Sequence, residues 1–367
     1  MTSNRHPTPP DPRRSGARID PAVFEFPAEK IRGGFYSDKY FPRTRSVLVA
    51  RRINSRVTMQ VFQRKRALVA GTDEVVGLLR TCLTKGYDFG DLRVRALRDG
   101  DRADPLETVM LIQGPYAAFA HLETLYTGIL ARRSRIATRT REAVEAAWPK
   151  RVLYFPARHD HWLNQPGDGW AAMVAGAGDV STDAQGSWWG GAGTGTVPHG
   201  LIAAFGGDTV AAAKAFVETV GEEVNLVTLV DFHNDSVGTS LEVARALGDR
   251  LWGVRLDTAG NMVDHAVRDL AGEASVQGVN THLVARVRDA LDAAGFGHVR
   301  IVVSGGLDAP KIRAFESEGA RVDAYGVGSS LMRGTYDFTA DIVEVDGRAM
   351  AKAGRWLRPN DRLEVVE

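Results

Sequence analysis

The chain has 367 residues, enough for roughly two domains of about 150 residues each and for a substantial core. Its 46 Lys+Arg oppose 45 Asp+Glu for a formal charge of +1, so no polyanion-binding face dominates, nucleic acid is not an expected partner, and any anion site must be local. Hydrophobic residues make up 44% and charged residues 25%, and no apolar run approaches the roughly 20 residues that span a bilayer, so no membrane partner is expected.

The single cysteine, Cys82, excludes an intramolecular disulfide and cysteine-cluster zinc sites. The N-terminus lacks an apolar signal core, which makes a reducing cytoplasm the expected location. Residues 1–22 carry Pro7, Pro9, Pro10, Pro12 and Pro21 among Arg, Ser and Asp, and are expected to form a disordered tail.

From Phe35 to Ala70 the pattern turns to short β-rich runs, Val47-Leu-Val and Val57-Thr-Met-Gln-Val-Phe, followed by a predicted helix over Glu74–Thr81 and a further run over Glu107–Gln113. Leu122, Leu125, Ile129 and Leu130 recur at helix spacing in a segment rich in arginine toward its far end. Residues 23–145 thus read as a mixed α+β domain.

Beyond this point short apolar runs alternate with helical stretches. Predicted strands are Val152–Phe155, Ala171–Gly176, Asn225–Val230, Trp252–Leu256, Val299–Val303 and Asp323–Val327; predicted helices include Thr209–Val220, Leu241–Leu247 and Leu283–Ala294. Fully apolar strands alternating with helices mean a parallel sheet covered on both faces. Polar residues follow every strand (Arg158, Ser181-Thr182, Asp231, Asp257, Ser304, Ser329), which favours an α/β barrel, or part of one, over residues 146–334. The last stretch, residues 335–367, contains a predicted hairpin with no helix of its own, placed to pair back onto the N-terminal domain.

The segment Gly190-Gly-Ala-Gly-Thr-Gly-Thr196 lacks the third glycine of a dinucleotide fingerprint, and no Gly-Lys-Ser/Thr occurs in the chain. It reads as a mobile or tightly turned loop leading to His199. Two turns, Ser304-Gly305-Gly306-Leu307-Asp308 and Gly326-Val327-Gly328-Ser329-Ser330, follow late strands, where glycines and small hydroxyl residues let backbone N–H groups converge on a phosphate. Arg255 and Asp257 lie two residues apart and so on one side of a strand. They form either a structural ion pair or a pair of contacts to a sugar phosphate.

Taken together, Phe35-Tyr-Ser-Asp38-Lys-Tyr40-Phe, Phe155-Pro-Ala-Arg158, Gly195-Thr-Val-Pro-His199, Val254-Arg255-Leu-Asp257, Ser304-Gly-Gly-Leu-Asp308 and Tyr325-Gly-Val-Gly328-Ser329 resemble the nicotinate phosphoribosyltransferase family, over about residues 30–345. The resemblance implies an incomplete α/β barrel with an N-terminal α+β domain completed by the C-terminal strands, and a homodimer or higher oligomer with shared active sites. It implies transfer of phosphoribosyl from phosphoribosyl pyrophosphate to nicotinate, with Mg2+ accompanying the pyrophosphate and ATP as co-substrate.

By matching position, Phe155 and the partner subunit's Tyr40 would sandwich the pyridine. Arg158 would meet anionic groups, and Arg255 with Asp257 would hold the phosphoribosyl pyrophosphate. Ser304, Gly305, Gly306, Gly328 and Ser329 would cup its phosphate. His199, with Asp231 nearby, stands where the family carries a phosphorylated histidine. In nicotinamide-using relatives an aspartate meets the amide; Thr182 matches that position and favours nicotinate, whereas the adjacent Asp183 in its place would favour the amide.

The chain departs from many members in having no lysine in Phe338-Thr339-Ala340-Asp341, and it lacks the cysteine-rich zinc tail of some relatives, so no structural metal is expected. A barrel transferase acting on nicotinamide or quinolinate, and a non-catalytic sugar-phosphate sensor, are the competing readings.

Overall fold

The computed structural model describes residues 18–221, 225–272 and 275–366, and almost all of the expected tail lies outside them. Its fourteen strands are β1 (Arg56–Gln63), β2 (Ala67–Leu68), β3 (Arg93–Ala96), β4 (Arg102–Ala103), β5 (Thr108–Pro115), β6 (Arg151–Tyr154), β7 (Asp179–Val180), β8 (Val227–Leu229), β9 (Gly253–Leu256), β10 (Arg300–Val303), β11 (Ala324–Val327), β12 (Phe338–Val345), β13 (Arg348–Ala349) and β14 (Glu364–Val366). The described residues fall into two units, one within 1–138, 170–175 and 334–367, the other within 139–169 and 176–333.

The first unit is built on an antiparallel sheet of order β13-β12-β1-β5-β3-β14. The C-terminal hairpin supplies β12 and β13, and β12 pairs with β1 from Val57↔Val345 to Gln63↔Phe338. Val57, Met59, Val61, Met110 and Ile112 are buried in a core shared with Val75, Leu78, Leu79 and Cys82 of the helix Thr72–Cys82. Those helical residues recur at a spacing of three to four, as one buried face requires.

One expectation fails here. Val47-Leu-Val lies inside the helix Tyr40–Ala50, not in a strand. Val47 and Val49 are exposed, so no buried pleated surface selects their β preference. Pro42 sits in the first helical turn, where its missing N–H breaks no helical bond.

The second unit contains a curled, wholly parallel sheet of order β7-β6-β11-β10-β9-β8, an incomplete α/β barrel. Several of its helices start on side-chain caps: Asp208 for Thr209–Val220, Asp235 for Ser236–Leu247, Asn280 for Thr281–Ala293 and Asp308 for Ala309–Ser317.

A second correction concerns Ala171–Gly176, expected as a strand. Residues 171–174 close the helix Gln165–Val174, and the strand that pairs with β6 is the two-residue β7. A buried apolar run carries no period of its own, and its alanines are strong helix formers.

The two sheet edges, β7 and β8, are joined by the end of the glycine-rich segment. The amide of Thr194 donates to Val180 O at 2.8 Å, and that of Val197 donates to Val227 O at 2.9 Å. Val197 also bridges Thr228 in parallel fashion. Irregular backbone therefore closes the ring where a strand is missing, and it delivers His199 to the C-terminal ends of the strands.

Candidate active site

A cavity of about 550 Å³ opens at those strand ends, lined entirely by the second unit. It brings together Phe155, Arg158, Thr182, His199, Arg255, Asp257, Ser304, Gly305, Gly306, Gly328 and Ser329. Asp231 stands behind the lining, its Oδ1 2.9 Å from His199 Nε2. Tyr40 belongs to the first unit, is 61% exposed, and is not among the lining residues.

Arg255 is the most constrained group. Its Nε donates to Ser304 Oγ at 2.8 Å, Nη1 to Thr196 Oγ1 at 3.3 Å, and Nη2 to Asp257 Oδ2 at 3.3 Å. Its guanidinium carbon lies 5.2 Å from the Phe155 ring centroid, within cation–π range. Asp257 in turn accepts from Ser304 Oγ at 2.7 Å. Arg255 and Asp257 thus form an ion pair, yet two guanidinium N–H bonds and a carboxylate lone pair remain for a ligand.

Phe155 rests on Gly326 of β11. A Cβ there would lie 2.6 Å from the ring's Cε2, so only glycine lets the aromatic platform sit so close to the strand. Next to it, Gly305 and Gly306 both adopt the left-handed conformation, with φ of 85° and 65°. Among the described residues their amides donate to no backbone carbonyl, which leaves them for an anion. The helix Ala309–Ser317 contributes less than a free terminus would, because Asp308 already accepts from the Lys311 amide.

The glycine-rich segment is tightly turned. Cβ atoms at Gly186, Gly191 and Gly193 would approach neighbouring atoms to 2.3, 2.4 and 2.6 Å. The Gly193 amide donates to Asp183 Oδ1 at 2.9 Å, so that carboxylate holds the turn and does not line the cavity. Thr182 does line it, but its hydroxyl accepts from the Gln185 amide as a helix cap and donates to Gln165 Oε1 at 2.8 Å.

Asp231 is buried, which pushes its carboxyl above the usual range, and its hydrogen bond to His199 pulls the other way. His199 remains partly exposed to the cavity, leaving Nδ1 as the ring nitrogen not engaged by Asp231. With Arg255 paired to Asp257, Arg158 is the lining arginine without a carboxylate partner among the described residues.

Sequence reasoning missed His159, Thr196 and Gly326. Gly326 and Thr196 lie within motifs already singled out but carried no role there, and His159 directly follows one; only the fold shows what each touches.

A family model described as quinolinate phosphoribosyl transferase, N-terminal domain, matches residues 38–134. The crystal structure of nicotinate-nucleotide pyrophosphorylase from Pyrococcus furiosus superposes with a TM-score of 0.78 at 32% identity, covering 94% of this chain and 85% of that one. Nicotinate phosphoribosyltransferase pncB1 of Mycobacterium tuberculosis is 29% identical over 91% of this chain and 78% of its own length. The chain belongs to the nicotinate phosphoribosyltransferase family.

It is accordingly a phosphoribosyltransferase. The human nicotinic acid phosphoribosyltransferase structure shares the fold, with a TM-score of 0.64 at 20% identity over 86% of this chain and 75% of that one. Among the described residues no helix is long and apolar enough to cross a membrane.

Proposed function

We propose that this transferase moves the phosphoribosyl group from phosphoribosyl pyrophosphate to the ring nitrogen of nicotinate, giving nicotinate mononucleotide and pyrophosphate for NAD synthesis. The carrying observation is the single chamber that joins an aromatic platform, a clamped Arg–Asp pair and two glycine turns. Loss of pyrophosphate leaves an oxocarbenium-like sugar, so the site needs cations at the leaving group, a carboxylate near the ribose and a ring held flat beside the anomeric carbon.

Phe155 supplies the flat surface, Arg255 and Asp257 address the sugar diphosphate, and the turns at Gly305-Gly306 and Gly328-Ser329 receive the remaining phosphate. Ser304, whose hydroxyl proton goes to Asp257, organises that pair. Arg158 meets an anionic group at the rim.

Among the described residues no set of three or more His, Cys, Asp and Glu side chains is arranged to hold a metal ion. Magnesium fits this site as a cation held by Asp257 together with substrate phosphates, the usual manner for that ion, and would neutralise charge on the leaving group. His199, oriented through Nε2 by Asp231, offers Nδ1 as the acceptor of a phosphoryl group from ATP. Tyr40, exposed on its own unit, is the residue we assign to the partner's site in a dimer.

Nicotinate is favoured over nicotinamide because Thr182 lines the cavity while the Asp183 carboxylate holds Gly193. It is favoured over quinolinate because a second carboxylate would add anionic load to a cavity where Arg158 is the lining arginine without a carboxylate partner among the described residues. Purified protein should form the mononucleotide from phosphoribosyl pyrophosphate and nicotinate, and faster with ATP. Release of carbon dioxide from quinolinate without turnover of nicotinate would overturn the reading.

A further inference from the structure

We propose that Ser330 is a positioning residue for the transfer, a clasp whose hydroxyl holds the two glycine turns at the spacing that receives one phosphate. The inference rests on the transferase reading and deepens it. Ser330 is not among the lining residues of the cavity, which on that turn end at Ser329. It acts through the backbone it holds.

The two turns leave neighbouring parallel strands. β10 and β11 pair at Val302↔Ala324 and Val303↔Tyr325, and the ladder stops there. Beyond the strand ends, one hydrogen bond joins the turns among the described residues: Ser330 Oγ donates to Leu307 O at 2.6 Å. Leu307 is buried, and its carbonyl accepts from no other donor among the described residues. A buried carbonyl left unpaired is costly, which keeps this bond made.

Between the anchors lie the two residues with the most freedom. Ser304 fixes one end of the first turn, its amide donating to Leu256 O at 2.9 Å, and Leu307 O fixes the other. Gly305 and Gly306 stand between them, left-handed, with amides that donate to no backbone carbonyl among the described residues. Glycine loses more conformational entropy on ordering than any other residue. A glycine turn pinned at both ends has lost that entropy before a ligand arrives, so the ligand's affinity need not cover it.

The second turn is carried with Ser330. The Leu331 amide donates to Gly328 O at 3.1 Å, and the Leu331 side chain is buried. The Ser330 proton is thus used inside the protein, and a change there alters the spacing of the cup without removing a ligand contact.

The test compares wild type, Ser330→Ala and Ser330→Thr. Ser330→Ala removes the clasp and is expected to raise the KM for phosphoribosyl pyrophosphate and the dissociation constant of nicotinate mononucleotide alike, each about fivefold, as for loss of one ordinary hydrogen bond. Nicotinate and pyrophosphate do not carry the cupped phosphate. The KM for nicotinate at saturating phosphoribosyl pyrophosphate, and inhibition by pyrophosphate, are therefore expected to stay unchanged. Ser330→Thr keeps the donor and is expected to restore most of the affinity. A merely structural serine would lower the melting temperature without producing this split. If Ser330→Ala melts early, Ser330→Cys, of similar size and with only a weak donor, carries the same expectation.

Unchanged affinity of Ser330→Ala for the mononucleotide would overturn the inference. So would a parallel rise in the KM for nicotinate, which would mean that the whole chamber has loosened. Wild-type protein that neither binds the mononucleotide nor uses nicotinate would sink the transferase reading itself, a separate outcome.

Discussion

Asp99 in the first unit and Asp231 in the second are both buried carboxylates raised above the usual range by burial, yet they are satisfied in different ways. Asp99 accepts from the Thr72 amide and hydroxyl, both at 2.8 Å, and from Trp170 Nε1 at 2.8 Å, all fixed groups of its own unit. Asp231 accepts from the imidazole of His199, whose side chain is 42% exposed. A carboxylate enclosed by rigid donors fixes a fold. One satisfied by a half-exposed imidazole fixes a reactive group at a cavity and leaves its other nitrogen for chemistry.

The sharpest way to break this contrast is His199→Ala. If Asp231 serves to orient a nucleophile, kcat/KM with ATP present falls on the order of 100-fold or more while the melting temperature moves little, measured by product formation and calorimetry. Retention of the full ATP stimulation would place His199 with the structural residues.

Next in size is Trp170→Phe, which leaves one oxygen of Asp99 buried without a donor. Urea unfolding should show a loss of about 1–3 kcal/mol, with KM for both substrates unchanged. A shift in KM with no loss of stability would reverse the roles assigned to the two carboxylates.

The smallest effect is on pH dependence. Burial, with Asp73 adding like charge, pushes Asp99 up to about 6 from an ordinary 3.8. Between those values the folded chain holds a proton that the unfolded chain has lost. This group's contribution to stability therefore grows as pH falls through the window and is lost as pH rises through it. Asp99→Asn should remove that slope from the difference between the two stability curves recorded from pH 4 to 7; an unchanged slope would refute the assignment.

Much of the barrel could be read before any coordinates. The helix expected over Thr209–Val220 is present with those bounds, and β6, β9, β10 and β11 lie within a residue or so of the runs that announced them. Strongly apolar runs buried on both faces, ending in caps and glycine turns, carry local signals that tertiary context does not override.

Val47-Leu-Val and Ala171–Gly176 carried no such signal. In the first, exposure removes the packing that would favour a strand; in the second, full burial hides the period that would distinguish helix from strand. Within the cavity, the motifs around Phe155, His199, Arg255 and the two glycine turns were visible as residues, while the roles of Thr196, His159 and Gly326 were not.

The sequence by itself determined which chemistry the chain could host, because residue types, glycine positions and the two-residue offset of Arg255 and Asp257 are local properties. Only the tertiary structure decided which protons and lone pairs are left for a ligand. That depends on partners far along the chain, as when Asp183 turns to Gly193, Thr182 to Gln165 and Ser304 to Asp257. A hydroxyl has one proton wherever it sits, and packing alone determines whether the protein or its substrate receives it.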